Sequence, residues 1–196
     1  TSLLAVATMF TLTACGGDSN ADKPYAGQEL HLYNWGEYMG ENFISGFEDL
    51  TGATVVVDYF DSNEAMYIKV ANGEPYDILV PSDYMIERLI QEDLIQKLDK
   101  DKITCMDELV DAVKGLPYDP NNEYSIPYFW GTVGIVYDKT KVSEADLEKE
   151  GYNIFLDTKY KGDIYLYDSE RDSFMMALKA LGYSMNTKDE KELEEA

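Results

Sequence analysis

The side chains of this sequence that could do chemistry cluster in three short segments, at 34–38, 81–84 and 167–172. Together the segments hold aromatic rings, carboxylates and hydroxyls, with only Arg88 and Arg171 as basic groups nearby. The candidate ligand-binding residues are Trp35, Glu37, Tyr38, Ser82, Asp83, Tyr84, Asp168, Ser169 and Asp172.

Rings and carboxylates with few cations suit a positively charged, partly aliphatic ligand. An ammonium group over a tryptophan or tyrosine face gains roughly 0.5–2 kcal/mol, depending on its desolvation. An ion pair with a carboxylate is stronger where a cleft excludes water, because the effective dielectric falls. Methylene groups between two ammonium groups can lie on the same rings through apolar burial. This chemistry favours an α,ω-diamine.

Several candidates also have a purely structural interpretation. Trp35 and Tyr38 could be aromatic residues of the core or its rim, and Glu37 and Asp172 could be solvated surface charges. The sequence leaves both interpretations open.

Helix capping is a second structural alternative, because Ser82 and Asp83 are both good N-cap residues. The one histidine, His31, lies in a predicted strand and is interpreted as structural rather than catalytic. Cys105 is interpreted as a packing residue.

A regular alternation of strands and helices positions the first two segments. Strands are predicted over 29–33, 53–60 and 76–81, and helices over 41–50, 63–73 and the residues that follow 82–83. Asp61 or Ser62 is expected to cap the second helix. The third strand is apolar enough to be buried on both faces. The alternation predicts a parallel sheet with right-handed crossovers, and therefore an α/β fold.

A second α/β segment is predicted towards the end of the chain. An extended stretch over 124–137 is long for one strand and is interpreted as passing from one domain into another. A strand over 162–168 and a helix over 173–182 follow it. Ligands of open α/β sheets bind outside the carboxyl ends of the strands. All three candidate segments follow predicted strands at such ends, and this convergence is the functional signal.

The charge and the N-terminal segment restrict the class of protein. The net charge of −22 makes nucleic acid and anionic lipid unlikely partners, although solubility alone could also explain it. Residues 1–15 are interpreted as an incomplete lipoprotein signal peptide ending at the lipidation site Cys15, and 16–28 as a flexible tether. With only two cysteines, no disulfide framework is expected.

Five blocks in chain order resemble the spermidine/putrescine-binding proteins of bacterial ABC polyamine importers. The blocks are LYNWGEY, YFDSNEAMYIKV, YDILVPSDY, DPNNEYSIPYFWGTVGIVY and YDSERDSFMMALKALGYS. The resemblance implies a class II periplasmic-binding-protein fold, in which two α/β lobes joined by a hinge close over the ligand. It implies a first lobe over 29–133 and the start of a truncated second lobe over 134–196.

The resemblance also implies roles for individual residues. Trp35 corresponds to a ring that packs on the polyamine, and Glu37 and Tyr38 to groups near one ammonium end. Ser82 and Tyr84 correspond to the hydroxyl and ring after the third strand. In the second lobe, the resemblance assigns an amine-binding carboxylate to Asp172.

Two positions depart from the pattern of the family. Gly36 stands where some members have threonine, which would remove one side-chain hydrogen bond. Ser169 stands where some members have an aspartate. Asp168 could supply that carboxylate instead if the loop shifts. The choice between putrescine and spermidine therefore stays open.

The resemblance implies an extracytoplasmic, lipid-anchored, monomeric solute-binding protein that delivers polyamine to an ABC permease. It implies no catalytic residues, cofactor, metal or nucleic-acid partner. Alternatives are the same fold binding ferric iron or thiamine, a hydrolase that pairs the carboxylates of Glu37 and Asp172, and a surface adhesin. No Gly-x-Ser-x-Gly, His-Glu-x-x-His or phosphate-loop motif is present to support an enzyme.

Overall fold

The structure, a computed structural model, describes residues 23–166 and 168–196. The chain divides into two compact units, the first ending at Tyr128 and the second running Phe129–Ala196. The predicted signal peptide, with Cys15, lies outside the described residues. The last residues of the predicted tether form a turn on the first unit, where the Tyr25 N–H donates to the Thr51 carbonyl at 2.9 Å. The predicted lobe limits, 29–133 and 134–196, stay a prediction.

A three-stranded parallel sheet forms the centre of the first unit. Its strands are β1 (Glu29–Trp35), β2 (Thr54–Phe60) and β3 (Ile78–Leu79), in the order β2-β1-β3. One helix separates β1 from β2 in the chain and another separates β2 from β3, as the strand–helix alternation predicts. The α/β fold class is therefore confirmed. Because Trp35 lies opposite Phe60 in the register, β1 and β2 end at the same edge of the sheet.

The third strand is shorter and more exposed than the sequence indicates. Only Ile78 and Leu79 pair with β1, and Ile78 is 45% exposed, so the prediction of a strand buried on both faces is wrong. An apolar run resembles a buried strand whether or not a neighbour covers it. Among the residues that the structure describes, β3 is an edge strand that pairs with β1 alone.

Three helices connect and flank the strands: α1 (Phe43–Thr51), α2 (Asn63–Ala71) and α3 (Asp83–Gln91). The first ends at Gly52, whose φ of 78° lies in the left-handed region that favours glycine. Of the two cap residues predicted for α2, Ser62 has this role, because its hydroxyl accepts a hydrogen bond from the Ala65 N–H.

The hydrophobic core lies between the sheet and the second and third helices. Its buried members are Tyr33, Phe60, Met66, Met85 and Leu89. Burial of each such side chain stabilises the fold by about 1.5–3 kcal/mol. The core therefore fixes the starts of α2 and α3 relative to the ends of the strands.

The last part of the first unit is irregular and is anchored by Asp119. This buried carboxylate accepts hydrogen bonds from the N–H groups of Glu123, Tyr124 and Ser125 and from the Ser125 hydroxyl, all at 2.8–3.0 Å. Burial alone would raise the pKa of Asp119, but these hydrogen bonds outweigh it and hold the pKa below the ordinary value of 3.8. The ionised carboxylate thus stabilises this loop.

Cys105 lies on the surface of the same region. Its predicted packing role is wrong, because the residue is exposed. It precedes a single 3-10 turn, Met106–Glu108, none of whose residues is buried.

The second unit is helical in its described part. It contains α4 (Glu144–Glu150), α5 (Glu170–Leu181) and α6 (Glu190–Glu195), with 3-10 segments over Gly151–Leu156 and Thr158–Tyr160. Its buried apolar residues are Ile154, Tyr160, Met175, Met176 and Leu178.

The two extended segments predicted near and within the second unit are not strands. None of the described residues over 124–137 or 162–168 pairs in a sheet. A strand exists only where a neighbouring backbone takes up its hydrogen bonds. The strand predictions for these segments are wrong, because an apolar pattern does not show whether a pairing partner exists.

Candidate functional site

Trp35 is the last residue of β1 and lies at the carboxyl edge of the sheet. Its ring is tilted by 57° against the buried ring of Phe60, with centroids 4.4 Å apart, and lies 5.9 Å from the ring of Tyr38. The Trp35 side chain is half-buried and packs against the core. Part of the Trp35 side chain is therefore held by the core, while another part is accessible to solvent. A fully buried ring would not be accessible, and a ring that packs on nothing would not be held.

Glu37 and Tyr38 follow in an exposed turn. The Tyr38 side chain is 38% exposed, and its carbonyl accepts a hydrogen bond from the Tyr128 hydroxyl. Gly36 lies outside the left-handed region, and an added Cβ would meet no heavy atom within 4 Å. The turn therefore does not require glycine at this position.

Ser82 lies at the N-cap of α3, yet its hydroxyl makes no hydrogen bond to its own helix. It accepts a hydrogen bond from the Asn63 side-chain amide at 3.0 Å, and the Ser82 N–H donates to Asn63 Oδ1 at 2.8 Å. Capping therefore does not explain the Ser82 hydroxyl. The next residue, Asp83, accepts a hydrogen bond from the Tyr84 N–H at 2.7 Å.

The hydroxyl of Tyr84 joins α3 to two residues of α2. It accepts a hydrogen bond from Asn63 Nδ2 at 3.0 Å and donates one to Glu64 Oε1 at 2.8 Å. The candidates after β3 are thus tied to residues at the start of α2, directly after β2. Asn63 and Glu64 were missed by sequence reasoning, which treated this stretch only as a helix start. Their position just past a strand end was the available signal.

The charges around this edge are mostly negative. Glu37, Glu64 and Asp83 are exposed carboxylates, whereas Arg88 is directed to Glu92, with Arg88 Nε 2.9 Å from the carboxylate. The guanidinium also lies 3.6 Å from the centre of the Tyr67 ring. The hydrogen bonds from Tyr67 and Arg88 hold the pKa of Glu92 below its usual value.

Tyr118 interacts electrostatically with one of these acids, Asp83, and with Asp119. Burial raises the pKa of Tyr118, and the negative charges of Asp83 and Asp119 raise it further. Its hydroxyl therefore stays protonated at neutral pH.

The remaining candidates lie in the second unit at the start of α5. The Ser169 hydroxyl accepts a hydrogen bond from the Asp172 N–H at 3.4 Å and so caps the helix. Asp168 is exposed and Asp172 is half-buried. The helix begins before the predicted residue 173 because Ser169 supplies this cap.

The described part of the chain offers no metal site, and its second unit has a cavity apart from the candidate residues. Residues 23–166 and 168–196 contain no group of three or more histidine, cysteine or acidic side chains that could hold a metal ion. The second unit has a cavity of about 360 Å³ with a mostly apolar lining, and it includes none of the candidate residues. Over the same ranges, no helix combines the length and apolar character needed to cross a membrane.

Comparison with known proteins gives consistent similarities along the chain. A polyamine-binding relative, the spermidine/putrescine-binding periplasmic protein of Escherichia coli K12, is 39% identical over 202 residues, covering 99% of this chain and 54% of the relative. The putrescine-binding periplasmic protein SpuD of Pseudomonas aeruginosa UCBPP-PA14 is 36% identical, with coverages of 96% and 54%. The resemblance seen in the five blocks is confirmed.

Two solved structures agree with the fold. The substrate-binding protein PotD of a spermidine/putrescine ABC transporter from Streptococcus pneumoniae is 43% identical, with a TM-score of 0.69 and coverages of 86% of this chain and 51% of that one. The TpPotD lipoprotein of Treponema pallidum is 33% identical, with a TM-score of 0.77 and coverages of 86% and 52%. The periplasmic-binding-protein fold class is thereby confirmed.

The chain spans about half the length of these relatives. The sequence profile of the family described as "Bacterial extracellular solute-binding protein" matches residues 42–196. With more than half of its residues matched, the chain belongs to the bacterial extracellular solute-binding proteins.

Proposed function

We propose that this chain is part of an extracytoplasmic protein that captures spermidine or putrescine and delivers it to an ABC importer. The observation that carries the proposal is the half-buried Trp35 ring at the carboxyl edge of the sheet, next to exposed carboxylates such as Glu37. The similarity to spermidine/putrescine-binding proteins supports polyamine over ferric iron, thiamine or a hydrolase substrate.

Complementary charge favours an amine as the ligand. An ammonium group gains from the ring face of Trp35 and from carboxylates such as Glu37 and Asp83. The aliphatic carbons gain from burial against the same ring, at roughly 25 cal/mol per Å². The net charge of −22 adds a long-range attraction that raises the rate of encounter with a polycation.

In the first unit the proposed ligand residues are Trp35, Glu37, Tyr38, Ser82, Asp83 and Tyr84, and in the second they are Asp168, Ser169 and Asp172. Because the Ser169 hydroxyl caps α5, Asp168 and Asp172 are the stronger candidates there. Asp172 is proposed to receive an amine.

The cellular context is a further part of the proposal. Cys15 is proposed as a lipidation site that anchors a monomeric, non-catalytic protein to the membrane, with ABC permease subunits as partners. The family description, "extracellular", and the lipoprotein from Treponema pallidum support this context.

Calorimetric titration of the full-length protein with spermidine and with putrescine tests the function. Saturable binding of at least one polyamine, weakened by added salt as expected for ion pairs, is the predicted result. Two flat titrations would overturn the proposal.

A further inference from the structure

A buried amide lies behind the candidate ligand groups of the first unit. Asn63, the first residue of α2, is 5% exposed. Its Oδ1 accepts from the Ser82 N–H at 2.8 Å, and its Nδ2 donates to the Ser82 hydroxyl and to the Tyr84 hydroxyl, each at 3.0 Å. One side chain thus connects the residue groups that follow β2 and β3.

The backbone contact fixes which way the amide points. The Ser82 N–H can only donate, so the atom facing it must be the amide oxygen. The amide nitrogen therefore faces the two hydroxyls, and each hydroxyl uses one lone pair to accept from it. The proton of each hydroxyl must then point away from Asn63.

This arrangement orients both hydroxyls for a cationic ligand. The Tyr84 proton is directed to Glu64 Oε1 at 2.8 Å, which holds that carboxylate in place. The Ser82 oxygen keeps a second lone pair, which can accept a hydrogen bond from an ammonium N–H. Without the amide, both hydroxyls could rotate, and Glu64 would lose an oriented donor.

We propose that Asn63 is a positioning residue for polyamine binding, which acts by orienting Ser82 and Tyr84 and, through Tyr84, Glu64. The proposal rests on the proposed function, since it assumes that the amine binds at this edge. Asn63 itself does not contact the ligand.

A purely structural Asn63 would hold α2 to α3 and affect stability alone. Asn122 provides the matched control, because it lies in the same unit and is also 5% exposed. Its side chain accepts a hydrogen bond from the Gly115 N–H and donates one to the Ser125 carbonyl. Asn122 has a φ of 48°, so Asn122→Gly removes the amide without backbone strain.

The test measures affinity for putrescine and spermidine by calorimetry on full-length protein, at a temperature where every variant is folded. Asn63→Ala is expected to weaken binding about ten-fold, the size of one buried polar interaction, and Asn122→Gly less than two-fold. Tyr84→Phe should weaken binding less in the Asn63→Ala background than in the wild type, because both changes disrupt one network.

Wild-type affinity in Asn63→Ala, or independent effects of the Asn63 and Tyr84 changes, would overturn the positioning role while leaving the proposed function intact. A wild-type protein that binds neither polyamine would overturn the proposed function first, and this role with it. If Asn63→Ala does not fold, Asn63→Asp is the second variant to test. Its carboxylate can still accept from the Ser82 N–H but cannot donate to the hydroxyls of Ser82 and Tyr84. Weaker binding in that variant supports the role, and unchanged or tighter binding overturns it.

Discussion

Two serines at equivalent points of the two units are held in different ways. Each lies at the start of a helix beside acidic candidates, but Ser169 caps its own helix, whereas Ser82 is bound by Asn63 from another helix. In the first unit the candidate ligand groups are therefore fixed by contacts between elements. In the second, within the described residues, they are fixed by a local cap.

The sheet is the reason for this difference. Parallel pairing ends β1, β2 and β3 at one edge, so the helix starts that follow β2 and β3 lie within hydrogen-bond reach of each other. The described part of the second unit has no sheet that could do the same for α5. Where a sheet gathers several chain segments, side chains distant in sequence can orient one another.

The largest expected effect tests whether the first-unit site depends on its core. Leu89→Ala should lower the free energy of unfolding by about 2–5 kcal/mol, because it leaves a cavity under α3. Leu50→Ala is the control, since Leu50 is 77% exposed and Leu89 is 0% exposed. Urea denaturation measures both, and equal losses would show that the core does not hold α3.

Trp35→Ala should weaken polyamine binding by about 1–3 kcal/mol, because it removes both ring stacking and the cation–π contact. Trp35→Phe retains a smaller ring and should lose less. Calorimetry with the wild type as reference measures both variants. An unchanged affinity in Trp35→Ala would mean that Trp35 serves only the core of the first unit.

The Asp119 loop gives the first unit a pH-dependent contribution of about 1–3 kcal/mol, typical of hydrogen bonds to a buried charge. Because the folded pKa is lowered, this stability is fully present above the ordinary value of 3.8 and is lost as the pH falls through the folded pKa. The difference in unfolding free energy between wild type and Asp119→Asn should shrink on acidification below that value. A difference that is constant from neutral to acidic pH would contradict this.

The two serines themselves should respond differently to removal of the hydroxyl. Ser169→Ala should cost about 1 kcal/mol of stability through loss of the helix cap. Ser82→Ala, which breaks no cap bond, should act mainly on polyamine affinity. Thermal unfolding measures the stability of both variants, and calorimetry measures their affinity for polyamine. If Ser82→Ala lost about as much stability as Ser169→Ala and kept its affinity, the two serines would not differ in role.

The smallest expected effect is at Gly36. Gly36→Thr should change stability by no more than about 0.5 kcal/mol, because the backbone is not left-handed there and the new side chain enters open space. It restores the threonine of some family members, so the ratio of putrescine to spermidine affinity should shift. A large loss of stability in thermal unfolding would show that the turn requires glycine.

Much of the first unit could be predicted from sequence because its signals are local. Helical periodicity and Ser62 were enough for α2, and the β-branched run was enough for β2. The short β3 and the unpaired segments of the second unit were not predicted, since a pattern of apolar residues does not reveal which backbone pairs with it.

The candidate site shows the same limit. Trp35 and Ser82 could be proposed as candidates because aromatic and hydroxyl residues after strands are visible in sequence. The role of Asn63 was not visible, because its bonds reach Ser82, 19 residues away, and Tyr84, 21 residues away. Which hydroxyl serves as a cap and which is bound by a neighbour depends on the packing of helices, which no local pattern encodes.

The central claim is that this edge of the first unit receives a polyamine through charge and ring contacts together. Calorimetric titration of full-length protein with putrescine and with butylamine, which has the same carbon chain but one ammonium group, tests it most directly. The account predicts saturable binding of putrescine, with butylamine at least about ten-fold weaker through loss of one ion pair. Equal affinities for the two amines, or no binding of putrescine and spermidine, would contradict it.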